Sequence, residues 1–208
     1  MFSYIPLPLV TDIVRRIGHY GFRHLGPFIF AGPEWRKIVF SDEVLSEVCL
    51  DEFLAVASLC IVGSSYRPFL LRCVQSNNHT AKFVEGLRLA ALVGPSVESL
   101  DMLGQAAIRN IHSYFAFGLF YALCGNPIEG TLILKKYLDK FATFEEAVNC
   151  ADQVVTLIKG MGPSGKHLYR GYKGLIDIPD CSLVHNHELD VCPSCFVLTY
   201  VFEVHDLC

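Results

Sequence analysis

Four of the nine cysteines in this 208-residue chain lie in its C-terminal tail, at positions 181, 192, 195 and 208. Cys192-Pro193-Ser194-Cys195 is a Cys-x-x-Cys sequence, and two thiolates at this spacing can bind one tetrahedral zinc ion at Zn–S distances of about 2.3 Å. Further ligands could come from other tail residues, which are Cys181, His185, His187, His205 and Cys208. A zinc site in the tail is therefore one interpretation of these residues, with Cys181, His187, Cys192 and Cys195 as its candidate ligands.

Two other interpretations of the tail cysteines stay open. The thiols could be unmetallated, or the Cys-x-x-Cys pair could carry out redox chemistry. Redox pairs of this kind lie at the start of a helix within a βαβ unit, and the residues around Cys192 do not show such a unit. The other five cysteines fall within apolar patterns, as small buried side chains do; they are Cys49, Cys60, Cys73, Cys124 and Cys150.

No catalytic arrangement accompanies these cysteines. The chain has eight histidines, but none is associated with a Gly-x-Ser-x-Gly sequence or with a nearby pair of carboxylates. The segment from Gly160 to Lys166 has the glycine and lysine spacing of a phosphate-binding loop, but His167 stands where the motif needs a hydroxyl. Pro163 also removes one of the backbone N–H groups that would face a phosphate. These residues therefore give no candidate catalytic site.

The stretch from Ile5 to Val48 contains the clearest helical pattern. Two prolines come first, where a helix can begin but not continue. Apolar residues then recur at i, i+3, i+4 and i+7, which predicts a short amphipathic helix ending at Gly18; they are Val10, Ile13, Val14 and Ile17. A segment of about 44 residues is marginal for a core of its own. We expect the rest of the chain, or another protein, to complete that core.

The middle of the chain contains an internal repeat. A shift of 32 residues aligns seven identical pairs, and each unit reads helix, Gly/Pro turn, helix. The pairs are Asn78/Asn110, Phe83/Phe115, Gly86/Gly118, Leu87/Leu119, Ala90/Ala122, Pro95/Pro127 and Leu100/Leu132. Small residues on the first helix of each unit would let the second helix approach closely. A period in this range is typical of an α-helical solenoid.

Two later segments complete the predicted elements. Thr143-Phe144-Glu145-Glu146 matches a capping box, in which the threonine accepts from first-turn amides, and it predicts the start of a helix that could cap the solenoid. Phe196–Val204 is rich in β-branched and aromatic residues. It is predicted to be either the one strand of the chain or a buried final helix.

Composition limits the partners. The net charge is −4 and the basic residues are scattered, so a nucleic-acid surface is not expected. The longest apolar runs are far shorter than the roughly 20 residues of a membrane helix, and no secretory signal is visible. We expect a soluble cytoplasmic or nuclear protein with reduced or metal-bound thiols. Hydrophobic residues make up 52% of the chain, enough to fill a core and leave apolar surface for a partner.

The N-terminal pattern resembles the F-box. The resemblance rests on Leu7-Pro8, on Ile13, Val14 and Ile17, on Leu25 and Ile29, and on Trp35-Arg36 with Ile38 before Ser41–Leu45. Members of this family bind a SKP-type adaptor of a cullin ubiquitin ligase through a three-helix unit. The resemblance implies that the adaptor-binding residues are Leu7, Pro8, Ile13, Val14, Ile17 and Trp35.

The repeat resembles Sel-like repeats, relatives of the tetratricopeptide class, and the order of segments resembles plant F-box proteins with a Cys/His tail. This resemblance implies a mainly α fold with four parts. They are an F-box-like three-helix unit at 1–50, a connecting helix or linker at 51–65, Sel-like repeats with a capping helix at 66–160, and a Cys/His-rich tail at 161–208. The implied function is recruitment of an unidentified protein client to the ligase. The alternative is a helical-repeat scaffold with a degenerate F-box and no ligase role.

Overall fold

The computed structural model describes residues 5–163, 165, 168–170, 180–183 and 191–208. Within these residues it contains twelve α-helices and no β-strand, so the predicted mainly α fold is confirmed. The first six helices are α1 (Leu7–Gly18), α2 (Gly26–Phe30), α3 (Pro33–Val39), α4 (Asp42–Leu45), α5 (Asp51–Ala55) and α6 (Arg67–Gln75). The others are α7 (His79–Leu92), α8 (Val97–Ala107), α9 (Ile111–Leu123), α10 (Pro127–Leu138), α11 (Phe144–Met161) and α12 (Phe196–Leu207).

The chain divides into two compact units. Unit 1 comprises Met1–Glu85 and unit 2 comprises Gly86–Cys208, so the division falls within α7. The boundaries proposed from the sequence, after residues 50, 65 and 160, lie at other positions and stay predictions. The segment at 51–65 contains the short helix α5 and a 3-10 turn at Ala57–Leu59.

Helix α1 begins and ends for local reasons. Its N-cap is Pro6, and a second proline lies in its first turn, where no intrahelical N–H is lost. Val10 and Val14 are buried along one side. The helix ends at Gly18, where a Cβ atom would lie 3.1 Å from Cγ2 of Val48. The absence of a side chain at Gly18 therefore allows the segment after α4 to pack against α1.

The next helices are short because two glycine–proline pairs interrupt them. A 3-10 turn at Phe22–Leu25 leads into α2, which has Pro27 in its first turn. Gly32 follows with φ of 136°, a left-handed conformation that glycine adopts without strain. Pro33 then begins α3. The predicted three-helix N-terminal unit is therefore four short helices, α1 to α4.

Asn78 ties the end of this segment to α7. Its side-chain amide donates to the carbonyl oxygens of Leu45, at 3.0 Å, and of Val48, at 2.9 Å. Its side-chain oxygen accepts from the backbone N–H of Ala81 at 3.0 Å, which caps α7. Because Asn78 is buried, the loss of these bonds would leave several buried polar groups without partners.

In unit 2, helices that follow one another along the chain pack closely against each other. A Cβ on Gly118 of α9 would lie 2.8 Å from Cγ2 of Ile133 and 3.0 Å from Cγ of Leu134 on α10. A Cβ on Gly86 of α7 would similarly lie 3.0 Å from Cβ of Met102 on α8. Glycine at positions 32 residues apart thus allows the same kind of close helix approach in both helix pairs.

The last two helices complete the core of unit 2. Oγ1 of Thr143 accepts from the backbone N–H of Glu146 at 3.3 Å, so the predicted cap at the start of α11 is present. Phe196–Val204 lies within α12 and is helical, which decides between the two predicted alternatives. Phe196 and Tyr200 of α12 contact the ring of Phe115 on α9 at centroid distances of 6.0 and 5.3 Å. The aromatic residues that indicated a strand are thus the buried face of a helix.

None of the helices in the described part of the chain is both long enough and apolar enough to cross a membrane.

Candidate metal centre and docking surface

The Cys-x-x-Cys sequence lies at the start of α12. The backbone N–H groups of Cys195 and Phe196 donate to the carbonyl oxygen of Cys192 at 3.1 and 2.9 Å, which closes a turn over Pro193 and Ser194. Cys195 is the N-cap residue of α12. Cys181 comes from a separate 3-10 turn at Asp180–Leu183. Two segments of the chain therefore contribute sulfur atoms to one place.

The three sulfur atoms have a spacing suited to one metal ion. Sγ of Cys192 lies 3.6 Å from Sγ of Cys181 and 3.6 Å from Sγ of Cys195. All three sulfur atoms lie within 4.8 Å of one another. In a tetrahedral zinc site with Zn–S distances of about 2.3 Å, two ligand sulfurs are about 3.8 Å apart. Cys181, Cys192 and Cys195 are thus close enough to hold a metal ion, and soft thiolate ligands favour zinc over calcium or magnesium.

The thiols of this cluster differ in acidity. The pKa of Cys192 is lowered to about 6, chiefly because its sulfur accepts a hydrogen bond from the backbone N–H of Cys195. The pKa of Cys181 is raised to about 11, because it is partly removed from water and lies beside the sulfur of Cys192. At neutral pH the cluster therefore contains a thiolate at Cys192, the form that binds metal ions.

The other predicted ligands have different positions. His187, and the alternative ligand His185, lie outside the residues that the structure describes. His205 and Cys208 are near the C-terminal end of α12. His205 follows Cys195 by ten residues, which corresponds to about 15 Å along a helix. The structure thus brings three of the four predicted ligands together, and it separates His205 and Cys208 from them.

The remaining cysteines follow the apolar pattern. All nine cysteines have free thiols. Cys60, Cys73 and Cys150 are buried, while Cys49 and Cys124 are half-buried. Burial raises the pKa of Cys73 to about 12 and that of Cys124 to about 11. The thiols of Cys73 and Cys124 are therefore protonated at neutral pH, unlike that of Cys192, and are poor metal ligands.

Unit 1 presents a second candidate site, on the outer side of α1. The exposed fractions are 59% for Leu7, 56% for Leu9 and 48% for Ile13. Pro8 is exposed as well, and Ile17 is half-buried. Leu9 and Ile13 are four residues apart and share one side of α1, whereas Leu7 lies with Thr11 on the side of a neighbouring groove. We call the exposed apolar residues Leu7, Pro8, Leu9 and Ile13 together the α1 surface.

Two of the predicted adaptor-binding residues, Val14 and Trp35, lie outside the α1 surface. Val14 is fully buried, with an exposed fraction of 0%. It therefore supports α1 from the core of unit 1 and does not belong to the α1 surface. Trp35 is half-buried on α3, and its ring packs against that of Phe28 at a centroid distance of 5.2 Å.

A groove borders the α1 surface. Its volume is about 550 Å³. Its lining residues come from α1, from α3 and from the start of α4; they are Leu7, Thr11, Glu34, Lys37, Ile38, Ser41 and Glu43. Ile38 is buried at the floor, whereas Glu34, Lys37 and Glu43 are exposed. An apolar floor with a charged rim is the usual composition of a protein-binding groove.

Sequence reasoning missed two features of these sites. Leu9 is nearly as exposed as Leu7. It follows Pro8 and does not fit the i, i+3, i+4, i+7 pattern, so periodicity alone gave no reason to select it. His112 and Cys150 form the second feature, in unit 2. Nε2 of His112 lies 2.8 Å from Oε1 of Gln153, and the pKa of His112 is raised, chiefly by its hydrogen bond with Cys150. This pair joins α9 to α11.

No protein-family model, no curated protein and no solved structure matches the chain.

Proposed function

We propose that the protein is a non-enzymatic recruiting subunit of a SKP–cullin–F-box ubiquitin ligase. In this proposal unit 1 binds the SKP-type adaptor through the α1 surface, and unit 2 binds a protein client. The observation that carries the proposal is the exposure of Leu7, Leu9 and Ile13 on one helix, beside an apolar groove.

The energetic argument concerns apolar area. Burying one leucine or isoleucine side chain contributes about 1.5–3 kcal/mol, and the α1 surface exposes three such side chains. These exposed side chains add nothing to the stability of the folded unit. Their burial by a partner with a complementary apolar surface would stabilise the complex. The charged rim at Glu34, Lys37 and Glu43 would fix the orientation of the partner. Val14 contributes indirectly, because its burial holds α1 in place.

In the proposed assembly unit 2 would act as a Sel-like helical-repeat surface. Support comes from the close helix approach that Gly86 and Gly118 allow and from the side-chain cap at Asn110. A protein that holds a client near a ubiquitin carrier raises the effective concentration of the client lysine. No bond chemistry by this chain is needed.

We further propose that the metal held by Cys181, Cys192 and Cys195 is zinc and that its role is structural. Bound zinc would link the turn at Asp180–Leu183 to the start of α12, a helix in the core of unit 2. Structural zinc sites have four protein ligands. The fourth ligand in this proposal is His187, as the sequence predicts. A cytoplasmic or nuclear location, where thiols stay reduced, suits such a site.

The adaptor interaction can be tested with purified full-length protein and a purified SKP-type adaptor. We expect Leu9→Asp and Ile13→Asp each to weaken adaptor binding at least tenfold, because each places a carboxylate in an apolar interface. Val62→Asp is the matched control, because Val62 is 78% exposed in unit 1 but lies outside α1. It should bind like the wild type. Circular dichroism should show the same helix content in all three variants.

A second candidate function is a helical-repeat scaffold with a degenerate F-box. The start of α3 favours it, because Gly32-Pro33-Glu34 begins that helix directly before Trp35 and changes the surface beside the groove. If the wild-type protein does not bind the adaptor, the ligase role is excluded and the scaffold remains. If all variants bind equally, the α1 surface is not the adaptor site.

A further inference from the structure

Cys192 is the central member of the thiol cluster. Its sulfur lies 3.6 Å from the sulfur of Cys181 on one side and 3.6 Å from the sulfur of Cys195 on the other. A disulfide bond needs the two sulfurs to approach to about 2.05 Å. Each pair could therefore close with an approach of the two sulfurs by about 1.5 Å. Any disulfide formed from either of these two short contacts must contain Cys192.

Two of the three thiols are accessible to a solute. Cys181 and Cys192 are half-buried, whereas Cys195 is buried beneath the start of α12. The N–H of Cys192 donates to Sγ of Cys195 at 3.2 Å, and this bond holds the buried thiol beside Cys192. The pair thus lies at a helix start, a feature of redox Cys-x-x-Cys pairs that could not be read from the sequence.

We propose that the cluster is a peroxide-sensitive thiol switch in which Cys192 is oxidised and then forms a disulfide with Cys181 or Cys195. In the first step the sulfur of Cys192 attacks one peroxide oxygen. The O–O bond breaks, Cys192 becomes a sulfenic acid, and hydroxide or an alcohol leaves. In the second step the neighbouring thiol attacks that sulfur, the S–O bond breaks and water leaves. Two thiols are oxidised for each peroxide that is reduced.

Oxidation and metal binding would exclude each other at this cluster. A disulfide removes two of the three sulfur ligands, and a bound metal ion holds the same electron pairs that would attack peroxide. This exclusion rests on the proposed zinc site, whereas disulfide formation does not. Neither depends on the proposed ligase role, because the cluster lies wholly in unit 2.

The test uses reduced, full-length protein treated with a chelator and then with one equivalent of hydrogen peroxide. Free thiols are counted over time, and disulfides are located by mass spectrometry of non-reduced peptides. We expect a fast phase in which two of the nine thiols disappear, with Cys192 in the resulting bond. Cys192→Ser should abolish this phase, whereas Cys181→Ser and Cys195→Ser should each keep it, because one short contact remains. Cys124→Ser is the control outside the cluster and should behave as the wild type.

Three results would overturn the proposal. They are a fast phase that persists in Cys192→Ser, a disulfide between cysteines outside the cluster, and irreversible oxidation of a single thiol without a disulfide. A parallel experiment adds zinc before peroxide. Protection by zinc supports mutual exclusion. Unchanged oxidation in the presence of zinc refutes mutual exclusion and counts against the zinc site, while the disulfide result stands or falls by itself.

Discussion

The hydroxyl of Tyr200 donates a hydrogen bond to Oδ1 of Asp152 at 2.5 Å and joins α12 to α11. Tyr200 is buried, and its ring also contacts Phe115 and Phe196. Burial, together with the neighbouring Asp152 carboxylate, raises the pKa of Tyr200 far above its ordinary value. The aromatic cluster that fills unit 2 therefore contains a phenol whose neutral form is favoured by folding.

The first prediction is a loss of stability at alkaline pH. A tyrosine ionises at about pH 10 in the unfolded chain, and the pKa of Tyr200 is raised in the folded state. The contribution of the buried Tyr200 phenol to the free energy of unfolding is thus complete below about pH 10 and decreases as the pH rises further. We expect the free energy of unfolding, measured by urea titration with circular dichroism, to fall between pH 9 and pH 11.

Tyr200→Phe is the control for this prediction. The variant should lose about 1 kcal/mol at pH 7, because the bond to Asp152 is removed. Its stability should then fall less steeply above pH 10 than that of the wild type. An equally steep fall in both proteins would mean that other groups cause the alkaline effect.

The second prediction concerns the cap of α9. The side-chain oxygen of Asn110 accepts from the backbone N–H of Ser113 at 3.1 Å. Asn110→Ala should therefore lower the free energy of unfolding by about 1 kcal/mol. Asn126 has the same N-cap position on α10 but makes no side-chain cap bond, so Asn126→Ala should change stability much less. Equal losses in urea titrations of the two variants would show that the cap bond does not stabilise α9.

The third prediction concerns close packing between α9 and α10. A Cβ at Gly118 would lie 2.8 Å from Cγ2 of Ile133. Gly118→Ala should therefore destabilise unit 2 by about 1–3 kcal/mol, despite the better helix propensity of alanine. At Gly26 a Cβ has no atom within 4 Å and the residue has helical φ and ψ. Gly26→Ala should be neutral or slightly stabilising. Thermal unfolding of the two variants measures both effects. A stabilising effect at Gly118 would contradict the packing.

The fourth prediction concerns metal binding to the full-length protein. We expect about one zinc per chain by elemental analysis, and a thermal midpoint that rises with added zinc and falls with a chelator. At a free zinc concentration 100 times the Kd, the stabilisation is about 2.7 kcal/mol. Cys192→Ser should abolish both effects, whereas Cys124→Ser should keep them. Substoichiometric zinc in wild-type protein prepared with zinc would exclude the centre.

Local sequence signals predicted the elements whose causes are local. The C-terminal end of α1 and the start of α11 followed from Gly18 and from Thr143, because caps and breakers act within a few residues. The sequence could not decide whether Phe196–Val204 forms a strand or a helix, because β-branched and aromatic residues suit both a strand and a buried helix. Its partners on α9 and α11, such as Phe115 and Asp152, decide the matter.

The sites depend on contacts that are distant along the chain. The Cys-x-x-Cys spacing identified Cys192 and Cys195, but the place of Cys181 beside them depends on how the turn at Asp180–Leu183 lies against α12. On α1, periodicity grouped Ile13 with Val14, although one is exposed and the other buried. Only the packing of α1 within unit 1 separates the two.

Trp35 is the one tryptophan of the chain, and it lies half-buried on α3 in unit 1. Its ring packs on that of Phe28. Lys37, two residues further along α3, lines the groove beside the α1 surface. Intrinsic fluorescence excited in the indole band therefore arises from unit 1 alone. A protein that covers the groove would shift the emission to shorter wavelength without any attached dye. Melting confined to α8–α12 would leave that emission unchanged.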